Sequence, residues 1–526
     1  MVVTGGMEKC MKQYLVTASE MKRYDRNTIE KYRLPSLLLM ERAALVTVEE
    51  IRRVYGKAPC RVAVIAGGGN NGGDGLAVGR LLMLQGYEVT FIMLDEEDRY
   101  SAETARQIEI LREYEAQVFS TIQDDEYDIV IDAILGIGLS RLVEGVYAEA
   151  IEWINQRNAY VCSVDISSGI RADMGEIMGC AVKADLTVTY GFRKVGQILY
   201  PGAEYTGTLV CGNMGIDERS FLGEEPYWYT YTGRHDRVLP VRRPDGNKGT
   251  FGKTLIVAGN DQIAGAAMMA AKSAFRIGTG MVKVVTAAEN REALQQFVPE
   301  AMLLIYAGDV TSEQEEKFKQ GLKEAENWAD CILIGPGIGM GKQAQELLRF
   351  SILKSSKPLV IDADGLNLLA QDQGLQDNLA EQGSRGRTVI LTPHLGEFAR
   401  LYGCTTAQAG EHLTDYPIRL SDRLQCTVVC KDVRTVVAGH GEQRGYMNTT
   451  GNDGMATAGS GDVLAGMVTG LLAQGMPGVD AAVAGVYLHG IAGDLAAERE
   501  TNVSMTATDM IERIRDVILL QQDGME

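Results

Sequence analysis

The sequence predicts an α/β protein of two domains, each built around an open sheet flanked by helices. Short runs of β-branched and apolar residues alternate with longer segments of helical spacing, and many of the runs end in glycine or aspartate. This alternation is typical of strand–helix–strand units. The chain has 526 residues, more than one hydrophobic core usually supports.

The first half opens with a polar helix over residues 17–31, with Thr17 as N-cap and Glu20 completing a capping box. A more apolar helix follows at 36–55. Next come a strand at 61–66, a glycine loop, a helix at 76–85, and strands at 88–94, 127–134 and 159–164. Ligands of open α/β sheets bind beyond the carboxyl ends of strands, so the residues after these strands are candidates for a site.

Residues 226–245 mix prolines, aromatics and charges without periodicity. This composition predicts a crossover between a domain at 1–225 and a second at 246–526, with its aromatics packed against a domain. The second series is predicted to contain strands at 253–258, 281–286, 331–334, 358–361, 388–391, 427–430 and 435–438, and helices at 265–277, 461–474 and 479–498.

Composition excludes some function classes. A formal net charge of -19 disfavours a nucleic-acid groove. The 9 cysteines form no compact disulfide framework, which favours a reducing cytoplasm. Cys426 and Cys430, the closest pair, are interpreted as residues on the same face of a buried strand, and a metal or redox pair is the alternative. No run approaches the ~20 apolar residues of a membrane helix, and residues 1–13 lack the apolar core of a signal peptide. We therefore expect a cytoplasmic protein, forming homo-oligomers, that binds neither nucleic acid nor membrane.

The segment Gly67–Gly75 reads GGGNNGGDG and connects a predicted strand to a helix. Glycines let backbone N–H groups approach a ligand, and a helix N-terminus favours phosphate. The segment matches neither a Walker loop nor a GxGxxG fingerprint. A tight turn without ligand is the alternative, but the asparagine and aspartate oxygens favour a site, since they suit a hard cation.

Four segments occur in order along the first half of the chain: VIAGGGNNGGDGLAVGRLL, IDAILGIGLSR, SVDISSGI and YGFRKVGQILYPGAEYTG. With them the chain resembles the NAD(P)HX epimerase domain over about residues 15–220. The resemblance implies a Rossmann-like three-layer αβα fold and exchange between the epimers of hydrated NADH or NADPH. Contacts with this hydrated cofactor are implied for Asn70, Asn71, Gly72, Gly73, Asp74, Gly136, Ile137, Gly138, Leu139, Ser140, Arg141, Leu142 and Asp165.

The same resemblance implies that Asn71, Asp132 and Ser168 hold K⁺ through oxygen atoms. Asp165 would lie at the reacting ring as an ionised carboxylate that shuttles a proton; the alternative is a turn cap. Lys194 matches a family lysine, either as a phosphate contact or in a surface ion pair.

Three residues depart from the family pattern: Ser167 where proline is usual, Ala44 where glycine is usual, and Gly69 inside an already glycine-rich loop. Serine at 167 is expected to relax the turn that holds Ser168 and so to weaken K⁺ binding.

The segment TGNDGMATAGSGDVLAGMVTGLLAQG at 450–475 is the second chemical signal. Small residues at 458–461 begin a long helix, where their N–H groups could surround a transferring phosphoryl group. Asp462 would lie beside them and accept a proton from an attacking hydroxyl. An aspartate that only complements the helix dipole is the alternative.

This arrangement resembles the ribokinase-like superfamily. The segments GTFGKTLIVAGN, IGPGIG, VIDADGLNLL and LTPHLGEFARL narrow the resemblance to the ADP-dependent NAD(P)HX dehydratase over about residues 240–515. It implies a ribokinase-like αβα fold, ADP as phosphoryl donor and Mg²⁺. Implied contacts with the hydrated cofactor are Ala266, Gly337, Gly339, His394 and Asp462, and those with the nucleotide are Lys431, Asp432, Val433, Arg434, Thr435 and Gly461.

Asn367 and Glu397 would help to position a metal–phosphate group. Asp432 and Asp453 depart from the family pattern, and the charge of Asp432 is expected to point away from the phosphates or toward Mg²⁺.

Together these signals predict a bifunctional enzyme that exchanges the epimers of hydrated NAD(P)H and dehydrates the S form with ADP, giving AMP and phosphate. A vitamin or sugar kinase of the same fold is the enzyme alternative, because it would stop at a stable phosphorylated product. A binding or scaffold module is the non-enzyme alternative, although intact Asn71, Asp132 and Asp165 favour catalysis.

Overall fold

The computed structural model describes residues 12–56, 60–123, 125–234, 238–307 and 311–522. The chain forms two compact units. The N-terminal unit runs from Tyr14 to Trp228, and the C-terminal unit comprises Tyr229 onward together with Lys12 and Gln13. The division into domains at 1–225 and 246–526 stays a prediction.

Strands and short helices alternate through the N-terminal unit. Its strands are β1 (Lys12–Val16), β2 (Arg61–Ala66), β3 (Glu88–Met93), β4 (Val118–Phe119), β5 (Ile129–Ala133), β6 (Tyr160–Val164), β7 (Leu186–Tyr190), β8 (Arg193–Lys194) and β9 (Thr208–Gly212). Its helices are α1 (Ala18–Tyr32), α2 (Ser36–Tyr55), α3 (Asn70–Leu84), α4 (Ala102–Glu113), α5 (Val146–Asn155) and α6 (Gly202–Thr206). The predicted capping box at Thr17 and Glu20 is present.

The main sheet of this unit is parallel, with the strand order β4-β3-β2-β5-β6-β7-β9. Along β2, Val62 and Val64 belong to the core that contains α2 and α3, whereas Ala63 and Ile65 belong to the core that contains α5. Alternate side chains of one strand thus enter two helical layers, which is the predicted three-layer αβα arrangement. The connection reverses direction between β2 and β5, where open sheets bind ligands.

The C-terminal unit is also built from alternating strands and helices, and it has more helices than the N-terminal unit. Its strands are β10 (Trp228–Tyr231), β11 (Lys253–Val257), β12 (Met281–Ala287), β13 (Met302–Tyr306), β14 (Cys331–Ile334), β15 (Leu359–Ile361), β16 (Val389–Leu391), β17 (Thr427–Cys430), β18 (Val436–Gly439) and β19 (Gly445–Met447). Its helices are α7 (Gly265–Arg276), α8 (Arg291–Phe297), α9 (Ser312–Trp328), α10 (Lys342–Leu353), α11 (Asp364–Ala370), α12 (Gln373–Ser384), α13 (Leu395–Tyr402), α14 (Thr406–Glu411), α15 (Tyr416–Leu424), α16 (Ser460–Ala473), α17 (Gly478–Glu500) and α18 (Ala507–Gln522).

From β13 to β17 this sheet is parallel, in the order β13-β12-β11-β14-β15-β16-β17. The hairpin β17-β18-β19 extends it with antiparallel strands. The strand order reverses between β11 and β14, the kind of position at which open α/β sheets bind ligands. Both units are therefore α/β, and the predicted fold class is confirmed.

Helix α3 begins earlier than predicted. Residues 70–75 form its first turns, whereas the sequence pattern placed them in the loop. A Cβ on Gly72 would lie 1.8 Å from the carbonyl oxygen of Gly67, and one on Gly75 would lie 2.2 Å from the Cβ of Ala133. The glycines therefore serve close packing inside a helix, which the low helix propensity of glycine concealed.

None of the described helices has the length and apolarity needed to cross a membrane. All the cysteines of the described residues are free thiols, and Cys426 and Cys430 are buried as expected, at the start and end of the β17 segment. Residues 1–11 lie outside the described residues. They include Cys10 and most of the N-terminal segment that was predicted to lack a signal peptide.

Helix α16 packs closely on α7 through Gly466. A Cβ at this position would lie 2.1 Å from Oγ of Ser273 and 2.3 Å from the carbonyl oxygen of Ala270. We expect Gly466→Ala to lower the free energy of unfolding by about 1–3 kcal/mol, because the methyl group overpacks the interface. Urea unfolding followed by circular dichroism measures this. Gly410→Ala is the matched control: it lies in α14, where the nearest heavy atom is 3.7 Å away, and should be neutral or stabilising.

Candidate active sites

A cavity of about 560 Å³ lies at the carboxyl edge of the N-terminal sheet. Its walls come from the segments that follow β2, β5 and β6 and from α1, α2 and α3. It contains Asn70, Asn71, Asp74, Gly136, Ile137, Gly138, Leu139, Ser140, Arg141 and Asp165 from the predicted set. Gly72, Gly73 and Leu142 are not part of these walls: the glycines are buried in α3, and Leu142 is 61% exposed.

Asp132, at the end of β5, is fully buried and accepts hydrogen bonds from Oγ of Ser163 at 2.7 Å and from the backbone N–H of Ser168 at 2.9 Å. Oγ of Ser168 also donates to it, and Nδ2 of Asn71 donates to the carbonyl oxygen of Leu135 at 3.2 Å. Burial raises the pKa of the Asp132 carboxyl, and the serine hydrogen bonds oppose this shift. Among the described residues no lysine, arginine or histidine pairs with it, so this cluster of oxygens fits a hard monovalent cation.

The hydroxyl of Ser167 is buried and donates to the carbonyl oxygen of Tyr205 at 2.9 Å, and the backbone N–H of Ser168 donates to Asp132. These hydrogen bonds restrain the turn that holds Ser168. The weaker K⁺ binding expected from Ser167 stays a prediction.

Asp165 follows β6 and has a left-handed backbone with φ of 62°. Such a conformation costs an aspartate about 1–2 kcal/mol and is typical of functional sites. Its Oδ1 accepts hydrogen bonds from Oγ1 of Thr189 and the backbone N–H of Tyr190, both at 3.1 Å.

Lys194 forms an ion pair with Asp165 and is fully buried. The ion pair expected as the alternative is therefore present, but it is buried and does not lie on the surface; the phosphate contact stays a prediction. Its ammonium group also donates to Oγ1 of Thr189 at 2.7 Å and the carbonyl oxygen of Tyr190 at 3.2 Å. Three acceptors hold the lysine in place, so the cavity keeps a fixed positive charge against Asp165.

The cavity also contains acidic residues that sequence reasoning missed. Asp25 of α1 and Glu103 of α4 line it beside the predicted Asp74. Burial first, and then the charges of Asp165 and Asp25, raise the pKa of Asp74 well above its usual range. The pKa of Asp25 is raised by burial and by Glu103 and Asp165. No sequence signal distinguishes Asp25 from the other charged residues on the polar face of α1.

In the C-terminal unit, Asp462 occupies the first turn of α16. Burial raises its pKa to about 7, with Asp362 adding to the shift and Lys431 opposing it. Nζ of Lys431 lies 2.8 Å from Oδ1 of Asp362, and a Cβ on Gly461 would lie 3.2 Å from the same Nζ. The lysine therefore joins the end of β15 to the turn that begins α16.

The other predicted residues lie along the same edge of this sheet. A Cβ on Gly337 would meet the Cβ of Ala266 at 3.1 Å, and the backbone N–H of Gly339 donates to Oδ2 of Asp364 at 2.8 Å. Asp364 raises the pKa of Asp462 in turn. Gly337 and Gly339 both have positive φ, which explains why glycine is required in this segment.

His394 caps α13: Nδ1 accepts the backbone N–H of Gly396 at 3.0 Å, and Glu397 accepts the backbone N–H of His394 at 2.9 Å. Burial, Lys431 and Arg400 lower the pKa of the histidine, so its imidazole is neutral near pH 7. Nε2 faces Glu397 at 3.3 Å on a ring that is 56% exposed. The histidine thus serves as a helix cap while keeping one face available.

The predicted nucleotide segment 431–435 connects β17 to β18. Lys431 is the member that reaches the turn before α16, whereas Val433 is 62% exposed. Asn367 and Glu397 already accept hydrogen bonds, from Arg400 and His394 respectively.

Among the described residues, no three histidine, cysteine, aspartate or glutamate side chains form a metal site by themselves. Asp362 and Asp364 lie close enough to Asp462 to raise its pKa, and Lys431 opposes them. Carboxylate oxygens are ligands that Mg²⁺ accepts when it binds together with nucleotide phosphates.

Comparison with known families agrees with this division. The model described as NAD(P)H-hydrate dehydratase matches residues 254–516. The model described as YjeF-related protein N-terminus matches residues 36–196. Each of the two candidate sites falls largely within one of these matches.

Curated relatives match almost the whole chain. Bifunctional NAD(P)H-hydrate repair enzymes from Thermofilum pendens and Moorella thermoacetica are both 34% identical, covering 97% of each chain in the first case and 98% in the second. The Escherichia coli enzyme of the same description is 33% identical over 95% of this chain and 93% of its own. The chain belongs to the family of bifunctional NAD(P)H-hydrate repair enzymes. Among solved structures, an ADP/ATP-dependent NAD(P)H-hydrate dehydratase from Bacillus subtilis is 28% identical with a TM-score of 0.45, covering 53% of this chain and 94% of that one.

For this repair-enzyme chain the buried pair of Asp165 and Lys194 offers a stability test. Lys194→Met should lower the free energy of unfolding by about 3–5 kcal/mol, because it leaves a carboxylate with no cation in a largely buried place. Adding Asp165→Asn should recover part of that loss, since neither charge then remains. A double-mutant cycle in urea measures the coupling. Strictly additive losses would contradict the pairing, and Lys22→Met, on the exposed side of α1, is the control.

Proposed function

We propose that the chain repairs hydrated nicotinamide cofactors, exchanging the epimers of hydrated NADH and NADPH in its N-terminal unit and dehydrating the S form in its C-terminal unit. One observation carries the proposal. In each unit a lysine contacts a carboxylate at the carboxyl edge of a sheet: the fully buried Lys194 with Asp165, and the partly buried Lys431 with Asp362. Each place sets a cation near a carboxylate suited to proton transfer, which is Asp165 in the first unit and Asp462 in the second.

In the N-terminal unit, the turn before α3 and the segment 136–141 would bind the cofactor phosphates. Backbone N–H groups at the start of α3 favour anions there. Asp165 would act on the nicotinamide ring at the other side of the cavity. Asn71, Asp132 and Ser168 would hold K⁺, and the ion would bring positive charge close to the phosphate-facing turns.

In the C-terminal unit, Asp462 would accept the proton of the ring hydroxyl while that oxygen attacks the terminal phosphorus of ADP. The N–H groups at 458–461 and the ammonium of Lys431 would stabilise the transferring phosphoryl group. AMP leaves, and the ester then eliminates phosphate while the neighbouring ring carbon loses a proton. Phosphate is a far better leaving group than hydroxide, so this route restores the dihydronicotinamide.

Mg²⁺ would neutralise the nucleotide phosphates when bound. Asp362 and Asp364 are the carboxylates we propose to hold it, through water or directly. The preference for ADP, a homo-oligomeric state and a cytoplasmic location belong to the same proposal. The domain limits 1–225, 226–245 and 246–526 complete it.

The decisive experiment incubates the protein with separated epimers of hydrated NADH, with and without ADP. Recovery of NADH absorbance from the S epimer with ADP, and from the R epimer by the same protein, would support both activities. A stable phosphorylated product without NADH would instead support a kinase of the same fold.

Asp165→Asn should slow epimer exchange by about 10²–10⁴-fold, because an amide cannot accept the proton. Asparagine tolerates the left-handed backbone at this position, so the fold should persist. Chromatography of the two epimers over time measures the exchange. Dehydration of the S epimer by the same variant is the internal control and should be unchanged.

The dehydratase should depend on pH through Asp462. A base must be ionised to act, and the pKa of this carboxyl is raised to about 7. The value of kcat/KM for the S epimer should therefore rise with pH up to about 7 and level off above it. Asp462→Asn should lose about 10²–10⁴-fold in kcat. A rate that stays flat between pH 5 and 8 would count against this role.

A further inference from the structure

The carboxyl group of Asp74 differs sharply in its surroundings from that of Asp165, although both line the same cavity. Asp165 has the ammonium of Lys194, the hydroxyl of Thr189 and a backbone N–H as partners. No described residue donates a hydrogen bond to Asp74 or forms an ion pair with it. Asp74 enters from α3, and Asp165 enters from the end of β6.

The contacts favour a carboxylate at one position and a proton donor at the other. Asp165 has an ammonium and two hydrogen-bond donors beside it, whereas no described residue offers Asp74 either. The pKa of Asp74 is raised well above its usual range, first by burial and then by the charges of Asp165 and Asp25. Two carboxyl groups whose environments separate them in this way are typical of an acid and a base serving one reaction.

The substrate of the proposed exchange needs both. When water adds to a dihydronicotinamide, the hydroxyl joins the ring carbon that is bonded to the nitrogen. The nitrogen lone pair directs the proton to the next ring carbon, which is one bond farther from the nitrogen. Inverting that carbon through loss of water requires an acid for the departing hydroxyl. It also requires a base for the water that enters on the opposite face.

We propose that Asp74 is the second catalytic residue of epimer exchange, acting as the acid opposite Asp165. This inference rests on the proposed epimerase function. Asp74 gives its proton to the ring hydroxyl, the C–O bond breaks with its electron pair on oxygen, and the nitrogen lone pair closes a C=N bond. A second water adds to the other face of that carbon, and Asp165 takes its proton. One water leaves and one enters, and exchange with solvent returns the transferred proton to Asp74.

Asp74→Asn tests the proposal. The rate of exchange should fall at least ~10²-fold, with KM for the hydrated cofactor close to that of the unaltered protein. The ADP-dependent dehydration should not change, which also shows that the variant is folded. The exchange that occurs without protein is subtracted throughout.

Asp25→Asn tests the pH dependence, because Asp25 also lines the cavity and its charge raises the pKa of Asp74. Activity that depends on an acid is lost as pH rises through the pKa of that acid. Removing a neighbouring negative charge lowers the pKa of Asp74, so this loss should begin at lower pH in Asp25→Asn. Other charged or titratable groups line the cavity and also affect this loss of activity at high pH. They are Lys22, Asp95, Glu103, Arg141, Tyr147, Asp165, Tyr190 and Lys194.

Labelled water gives a readout that does not depend on any variant. In H₂¹⁸O each inversion by the unaltered protein should place one ¹⁸O on the ring carbon. Inversion without label, or unchanged exchange in Asp74→Asn, would overturn the assignment of Asp74. Absence of exchange in the unaltered protein would overturn the epimerase proposal instead.

Discussion

Two lysine–carboxylate contacts, one fully buried and one partly buried, organise the candidate sites of this protein. Removing a lysine from water is unfavourable unless its charge meets a carboxylate and its N–H groups meet acceptors. Lys194 satisfies both requirements with Asp165, Thr189 and Tyr190. Lys431 contacts Asp362 and the turn before α16. Because each lysine binds partners from different strands or helices, it fixes the ends of those elements relative to one another.

The positions of the two sites follow from strand order. In each unit the chain adds strands on one side of its first parallel strand and then crosses to the other side. The segments after β2 and β5 therefore diverge and leave the cavity described above, and the segments after β11 and β14 diverge in the same way. Glycines at 72 and 75 allow α3 to approach the sheet edge closely, and the positive φ values at 337 and 339 shape the corresponding turn in the second unit.

Much of this could be predicted from sequence, because parallel strands buried on both faces give apolar runs that stop at glycine or aspartate. Strands such as β14 and β17 and the long helices α16 and α17 were predicted to within about two residues. The strand β7 and helices such as α4, α9 and α18 were not identified. The start of helix α3 was predicted too late because three glycines stand in its first turns, where tertiary packing overrides propensity.

The site was predictable where its residues occur in dense motifs and not where they come from distant segments. Asp165 and Asp462 stand in such motifs, and the structure places each beside a sheet edge. Lys194 could be recognised but not placed, because its burial depends on three acceptors that only the fold assembles. Asp25 gives no signal, since a carboxylate on a polar helix face is ordinarily solvated.

The backbone of Asp165 has an evolutionary consequence. Glycine would adopt this left-handed conformation at a lower free-energy cost, so the aspartate stands here against the preference of the main chain. Laboratory selection for heat resistance alone would therefore tend to replace this side chain. The replacement would raise stability and remove the catalytic carboxylate. Variants of this domain that only bind could arise by the same short route.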